Sequence, residues 1–123
     1  MRKFSESLLA ISLTILLGLG AAKADFVEGI EDIPLPEGLV QQHNDDISFG
    51  NTESRFVEAY FASRKLSCNK VSDFYRNTLP QLGWKFIRAE SKRLVFERDM
   101  ESLQIVCERR SPLLLRITLT SKD

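Results

Sequence analysis

One histidine, two cysteines, one tryptophan and six glycines in 123 residues set the first limits on what this chain does. A single histidine, His43, rules out most acid–base and triad arrangements, which need it beside a nucleophile and an orienting carboxylate. A metal centre needs three or four ligands at fixed geometry. His43 with Asp45 and Asp46 offers a weak cation contact at best, and its acidic surroundings read as a solvated loop. No CxxC pair is present, and no second histidine accompanies Cys68 or Cys107, so the thiols read as structural rather than nucleophilic. There is no glycine-rich phosphate loop, no internal repeat and no low-complexity tract. The reading is of a non-enzyme, with no metal and no cofactor.

Long apolar runs are also scarce. The one present, Leu8 to Gly20, has 13 residues, short of the ~20 that span a bilayer as a helix. Arg2 and Lys3 precede it, and Ala22, Lys23 and Ala24 follow in a small-x-small pattern. That is the three-part layout of a secretory signal peptide. Residues 1–24 are expected to be removed after Ala24, leaving a chain from Asp25 exported to the periplasm; the alternative is an uncleaved anchor. No cysteine lies near the cleavage point, which argues against lipoprotein processing.

Lys and Arg are missing altogether between Asp25 and Ser54, where eight acids stand, whereas from Arg55 onward 14 bases face eight acids, a surplus of +6. Residues 25–54 thus form an acidic segment containing Pro34 and Pro36, and 55–123 a basic domain. Phe26, Val27, Ile30, Ile33, Leu35, Leu39, Val40, Ile47 and Phe49 are too many apolar groups for a free tail. The segment is expected to wrap the domain, with Ile47–Phe49 a short edge strand.

The organising element is a helix over about residues 70–82. Val71, Phe74, Tyr75, Thr78, Leu79 and Leu82 fall on one face at helical spacing. Asn69 or Ser67 is placed to start it, Gly83 to end it, and Pro80 to loosen its last turn. Before it, Arg55–Ala62 alternates as a strand. After it come four more alternating runs, 84–88, 93–98, 103–108 and 113–120. The order β-α-β-β-β-β predicts an α+β two-layer sandwich, one helix on an antiparallel sheet. Phe74, Tyr75 and Trp84 are assigned to the core rather than to a ligand cage.

Two cysteines permit one pairing, and an exported chain favours it. A Cys68–Cys107 bond would staple helix to sheet, closing a loop of about 40 residues for ~3 kcal/mol. The alternative is two separate buried thiols. The face of the sheet turned away from the helix would carry Phe56, Tyr60, Ile87, Val95, Val106 and Leu114, more apolar than a wet face should be. Either the N-terminal segment covers it, the expectation adopted, or a partner does.

The run PLPEGL at 34–39, RFVEAY at 55–60, FYRNTLPQLGW at 74–84 and LVFERDMESLQIVCER at 94–109 occur in one order. In this the chain resembles a family of small exported, periplasmic alphaproteobacterial proteins with an FYxxxLPQLGW helix motif. The resemblance covers nearly all of the chain after residue 24. It implies an envelope location and the fold above, and brings no catalytic or ligand residue. The cysteine pair is not part of that pattern. The expected role is that of a non-enzymatic binding or accessory module of the envelope. The alternative is a binder of an anionic ligand or membrane surface through Arg93, Arg98, Arg109, Arg110 and Arg116. A third reading is a cell-wall enzyme using Glu97, Glu101 and Glu108. The partner would be an envelope protein or an anionic envelope component; nucleic acid is not expected outside the cytoplasm.

Overall fold

The computed structural model describes residues 25–50 and 54–121. The expected leader and its cleavage pattern, residues 1–24, lie outside the described residues. Among the described residues no helix is long and apolar enough to cross a membrane.

Helix α1 spans Cys68–Thr78. Ser67 stands at its N-cap, its Oγ accepting from the Lys70 N–H at 3.2 Å, which satisfies one of the donors that no helical carbonyl can reach. The expected span of 70–82 is corrected at both ends. The proline at position 80 has no N–H, and a 3₁₀ turn over Leu79–Leu82 succeeds the α-helix. Gly83 closes that turn at φ 92°, where a side chain would be strained. The tighter winding rotates the stripe: Val71, Tyr75 and Leu79 are buried, but Leu82 is 41 % exposed.

Among the described residues the main sheet has six strands in the order β3-β4-β8-β7-β6-β5, each pair antiparallel. They are β3 (Val40–Gly50), β4 (Arg55–Ser63), β5 (Lys85–Glu90), β6 (Arg93–Arg98), β7 (Glu101–Arg110) and β8 (Leu113–Ser121). After β4 the chain runs through α1 to the far edge, and the meander β5 to β8 returns to pair with β4. The register aligns Val57 with Leu119, Ala59 with Ile117 and Phe61 with Leu115, and Leu103 and Ile105 continue these rows on β7. Side chains directly opposite share a face, so one face of the sheet is a continuous apolar surface. The α+β expectation holds: the described residues form mostly antiparallel sheet with one α-helix.

The acidic segment holds more regular structure than expected. Strands β1 (Asp25–Val27) and β2 (Ile30–Leu35) pair as a separate two-stranded ribbon. Val27, Ile30, Ile33 and Leu39 join one buried cluster with Val57 and Phe61 of the sheet and with Val71 and Tyr75 of the helix. The Tyr75 hydroxyl donates to the Pro34 carbonyl at 2.8 Å, wholly buried. The ribbon therefore shares one buried cluster with α1 and the sheet. The expectation that the N-terminal segment covers the opposite face is corrected in part: Val27, Ile30, Ile33 and Leu39 are buried in the cluster with α1, and of the segment's apolar residues Phe49 on β3 stacks on Phe56 at the opposite face.

That buried hydroxyl predicts an alkaline sensitivity. Burial pushes the Tyr75 phenol well above its ordinary range. The unfolded phenol ionises near 10, so above that pH the native state binds more protons than the unfolded one. Stability is then fully present below pH ~10 and falls by about 1.4 kcal/mol per pH unit above it. Tyr75→Phe is expected to cost about 1–2 kcal/mol at neutral pH by stranding the Pro34 carbonyl. It should also flatten the alkaline decline. Urea unfolding of both proteins at pH 8 and pH 11 checks this; equal declines would refute it.

Candidate functional site: a basic cleft and an open sheet face

Cys68 and Cys107 form a disulfide, with Cα atoms 6.1 Å apart and a sequence separation of 39. The alternative of two separate thiols is thereby excluded. The bond joins the first residue of α1 to β7. Beside it, α1 and the β5–β6 turn enclose a cleft of about 130 Å³. Its wall on the helix is Asn69, Val71, Ser72 and Arg76; its wall on the turn is Ala89 to Leu94; Ile105, Cys107, Arg110 and Leu115 complete it. Arg76 lies over the Phe86 ring, 4.5 Å from its centroid, an arrangement that attracts the guanidinium to the ring face. Glu90 is the one carboxylate in the lining, and it is engaged by Arg93 and by Arg88, the latter at 2.7 Å. Hydrogen bonds from Arg93 and then Arg88 hold its carboxyl below the usual range. Lys92 and Arg110 are in no ion pair among the described residues.

The second face of the sheet is the other candidate. By register, Phe49 stands opposite Phe56, Gln42 opposite Tyr60, Arg116 opposite both Tyr60 and Val106, and Leu114 opposite Ala62. Phe49 and Phe56 stack with ring centroids 5.2 Å apart. Of the expected interaction residues, Phe56, Tyr60, Val106 and Leu114 lie on this face half-buried, and Ile87 sits half-buried in the bulge of β5 opposite Val95. Val95 departs from the expectation and is buried, 3 % exposed. The middle of the face is polar. Arg116 donates to Glu108 at 2.9 Å and to Glu58 at 3.3 Å, and Thr118 donates to Glu58 at 3.2 Å. Burial works against the Arg116 charge, but the hydrogen bond it donates to Glu108 and the charges of Glu108 and Glu58 outweigh it and hold its pKa above the ordinary value. Toward the β3 edge, Gln41, Gln42, His43, Ile47, Tyr60, Arg109 and Leu114 border a broad open depression.

The basic residues grouped in the sequence are dispersed by the fold. Arg93 and Arg110 line the cleft, and Arg116 is tied into the second face. Arg98 lies over the Trp84 ring at 4.3 Å, and Arg109 donates to the Pro112 carbonyl at 3.0 Å. The carboxylates are dispersed too. Glu101 pairs with Arg55 at 2.7 Å and Glu108 with Arg116. The register of β6 and β7 puts Glu97, opposite Ser102, on the other face from Glu101. His43 is 3.6 Å from Glu28 on the exposed edge; the side chains of Asp45 and Asp46 lie outside those described. Among the described residues no three His, Cys, Asp or Glu side chains gather to hold a metal ion.

The cleft escaped the sequence because its walls come from residues 68–76, 89–94 and 105–115, which no spacing rule links. Comparison with protein families, with curated proteins and with solved structures finds no match to this chain.

Proposed function

We propose that this protein is a non-enzymatic, exported module of the bacterial envelope that binds a protein partner along β3 and the adjoining second sheet face. The observation that carries the reading is the composition of that edge. β3 is the terminal strand of the sheet, and Val40, Ile47 and Phe49 on it are 62 %, 46 % and 64 % exposed. An edge strand with unpaired backbone groups and exposed apolar side chains is a template for a further strand. The opposite edge, β5, carries Lys85, Arg88 and Glu90 and a bulge at Ile87, the features that keep an edge from pairing. The acidic segment to which β3 belongs holds no Lys or Arg. A partner strand carrying basic and apolar residues is therefore its complement.

Export rests on the leader pattern and on the disulfide, a bond that persists in oxidising compartments. The likeness to small exported alphaproteobacterial proteins agrees with it. In this reading the helix lies on the sheet as the second layer of a sandwich, with the β1–β2 ribbon beside it. The shared burial of Val71, Tyr75 and Leu79 with the sheet rows supports that arrangement.

The test is a variant with Ile47→Asp and Phe49→Asp. Both positions are exposed, so the loss of stability is expected to stay near the 0.5–1.5 kcal/mol of one aromatic pair. A photo-crosslinker placed at position 40 should give a discrete adduct in envelope extracts with the parent edge and none with the double variant. An adduct of equal yield from both proteins overturns the reading.

A further inference from the structure

We infer that the cleft between α1 and the β5–β6 turn is a binding site for a small amphiphilic anion: one acidic group attached to an apolar body no larger than a single ring. The site is separate from the β3 edge and does not depend on its role. Three observations converge on it.

The first is the charge of the rim. Arg76, Lys92 and Arg110 carry the charge of the rim; Arg93, opposite Val106 and donating to Gln104 at 3.5 Å, shares the second face with Glu90. Glu90 is held by two arginines, while Lys92 and Arg110 are in no ion pair among the described residues. Such a rim focuses positive potential on one opening. The mouth also borders the start of α1, whose first turn has no acidic residue to offset the positive end of the helix.

The second is the interior. Val71, Leu94, Ile105 and Leu115 are buried residues that contribute to the lining, beside the Cys68–Cys107 bond. An ion wanted for its charge alone is served by polar walls; apolar side chains under a basic rim select a ligand with an apolar part. The third is size. A volume of about 130 Å³ is near that of an apolar cavity of ~150 Å³ that accepts benzene. A ring or a short branched chain fits, and a long acyl chain does not. Asn69, Ser72 and Ser91 add hydroxyl and amide groups that can hydrogen-bond the acid.

The test is an NMR titration of the disulfide-bonded protein with three probes: benzoate, benzyl alcohol and inorganic phosphate. Benzoate carries both features, and each of the others carries one. Benzoate is expected to shift the amides of Cys68, Ser91, Lys92 and Arg110. It should bind at least about tenfold more tightly than either other probe, since a charge-assisted contact and a buried ring each contribute. The variant with Lys92→Gln and Arg110→Gln should lose about tenfold in benzoate affinity, keep its fold by circular dichroism, and respond less to added salt. Benzyl alcohol binding as well as benzoate would remove the role of charge; phosphate binding as well would remove the role of the interior. Either result overturns the inference. So does the absence of localised shifts, including the case in which the protein responds only to vesicles of phosphatidylglycerol.

Discussion

Replacing both cysteines, Cys68→Ala with Cys107→Ala, is expected to remove about 3 kcal/mol of stability. For a domain of this size the melting temperature should fall by roughly 12–24 °C. The bond closes a loop of 39 positions, so the reduced chain gains most of the loop-closure entropy that the crosslink withholds. It also fixes the start of α1 to β7, the strand between β6 and β8. Alanine is the better replacement because Cys107 is only 7 % exposed, and a serine hydroxyl there would need a partner of its own. Either single substitution should cost nearly as much as the pair, since each breaks the same bond. Reductant should lower the parent to the level of the double variant and leave that variant unchanged. Denaturant melts with and without dithiothreitol read all of this. A double variant that melts with the oxidised parent would assign the bond no part in stability.

The disulfide shows both what the sequence made legible and what it did not. Cysteine count and leader pattern point to the pair, yet the Cα separation that permits the bond comes only from folding. The same division runs through the fold. α1 was legible because Val71, Tyr75 and Leu79 repeat at helical spacing and are all buried. Its end was misplaced because the period carries Leu82 along, while a proline at position 80 replaces the final α-turn with a tighter one. Strands β4 and β6 to β8 were legible from plain alternation. β2 was not, because Pro34 and Pro36 read as breakers. Yet Pro34 sits in a ribbon of only two strands, opposite Phe26, where a missing N–H leaves no further strand unpaired. β3 is legible only at Ile47–Phe49, because residues 43–46 interrupt the alternation. The pairing slips at that point, between Gln42 and Ile47. Which part of the N-terminal segment meets which face is not legible for a related reason. Apolar count shows that residues 25–54 must be buried, but not on which side of the sheet. The placement is settled by contacts far apart in the chain, such as Tyr75 with Pro34 and Val57 near the turn at Gly29. The cleft lies at the limit of this logic, since every one of its residues is ordinary alone.

Trp84→Ala is expected to cost about 3–5 kcal/mol, enough to unfold a fraction of a domain whose total is in the range of about 5–15 kcal/mol. Trp84 is 1 % exposed and is the largest fully buried side chain among the described residues. It stands where the chain leaves the 3₁₀ turn for β5, its backbone N–H donating to the Leu79 carbonyl at 3.1 Å. Arg98 caps its ring at 4.3 Å and donates to the Leu82 carbonyl at 3.1 Å. The indole thus fixes the turn, the first residue of the outer hairpin and the end of β6 together. Its one polar atom is a liability: the buried Nε1 has no hydrogen-bond partner among the described residues, a burial cost of about 1–3 kcal/mol. Trp84→Phe should therefore be much milder than Trp84→Ala, below ~2 kcal/mol. It leaves a smaller void, keeps a ring beneath Arg98, and removes the unpaired donor. The order parent, Phe, Ala in urea midpoints, with the Phe variant close to the parent, is the expected result. A Phe variant as unstable as the Ala variant would mean that the indole nitrogen holds a bond the fold depends on, and that the turn is anchored through it rather than through ring packing.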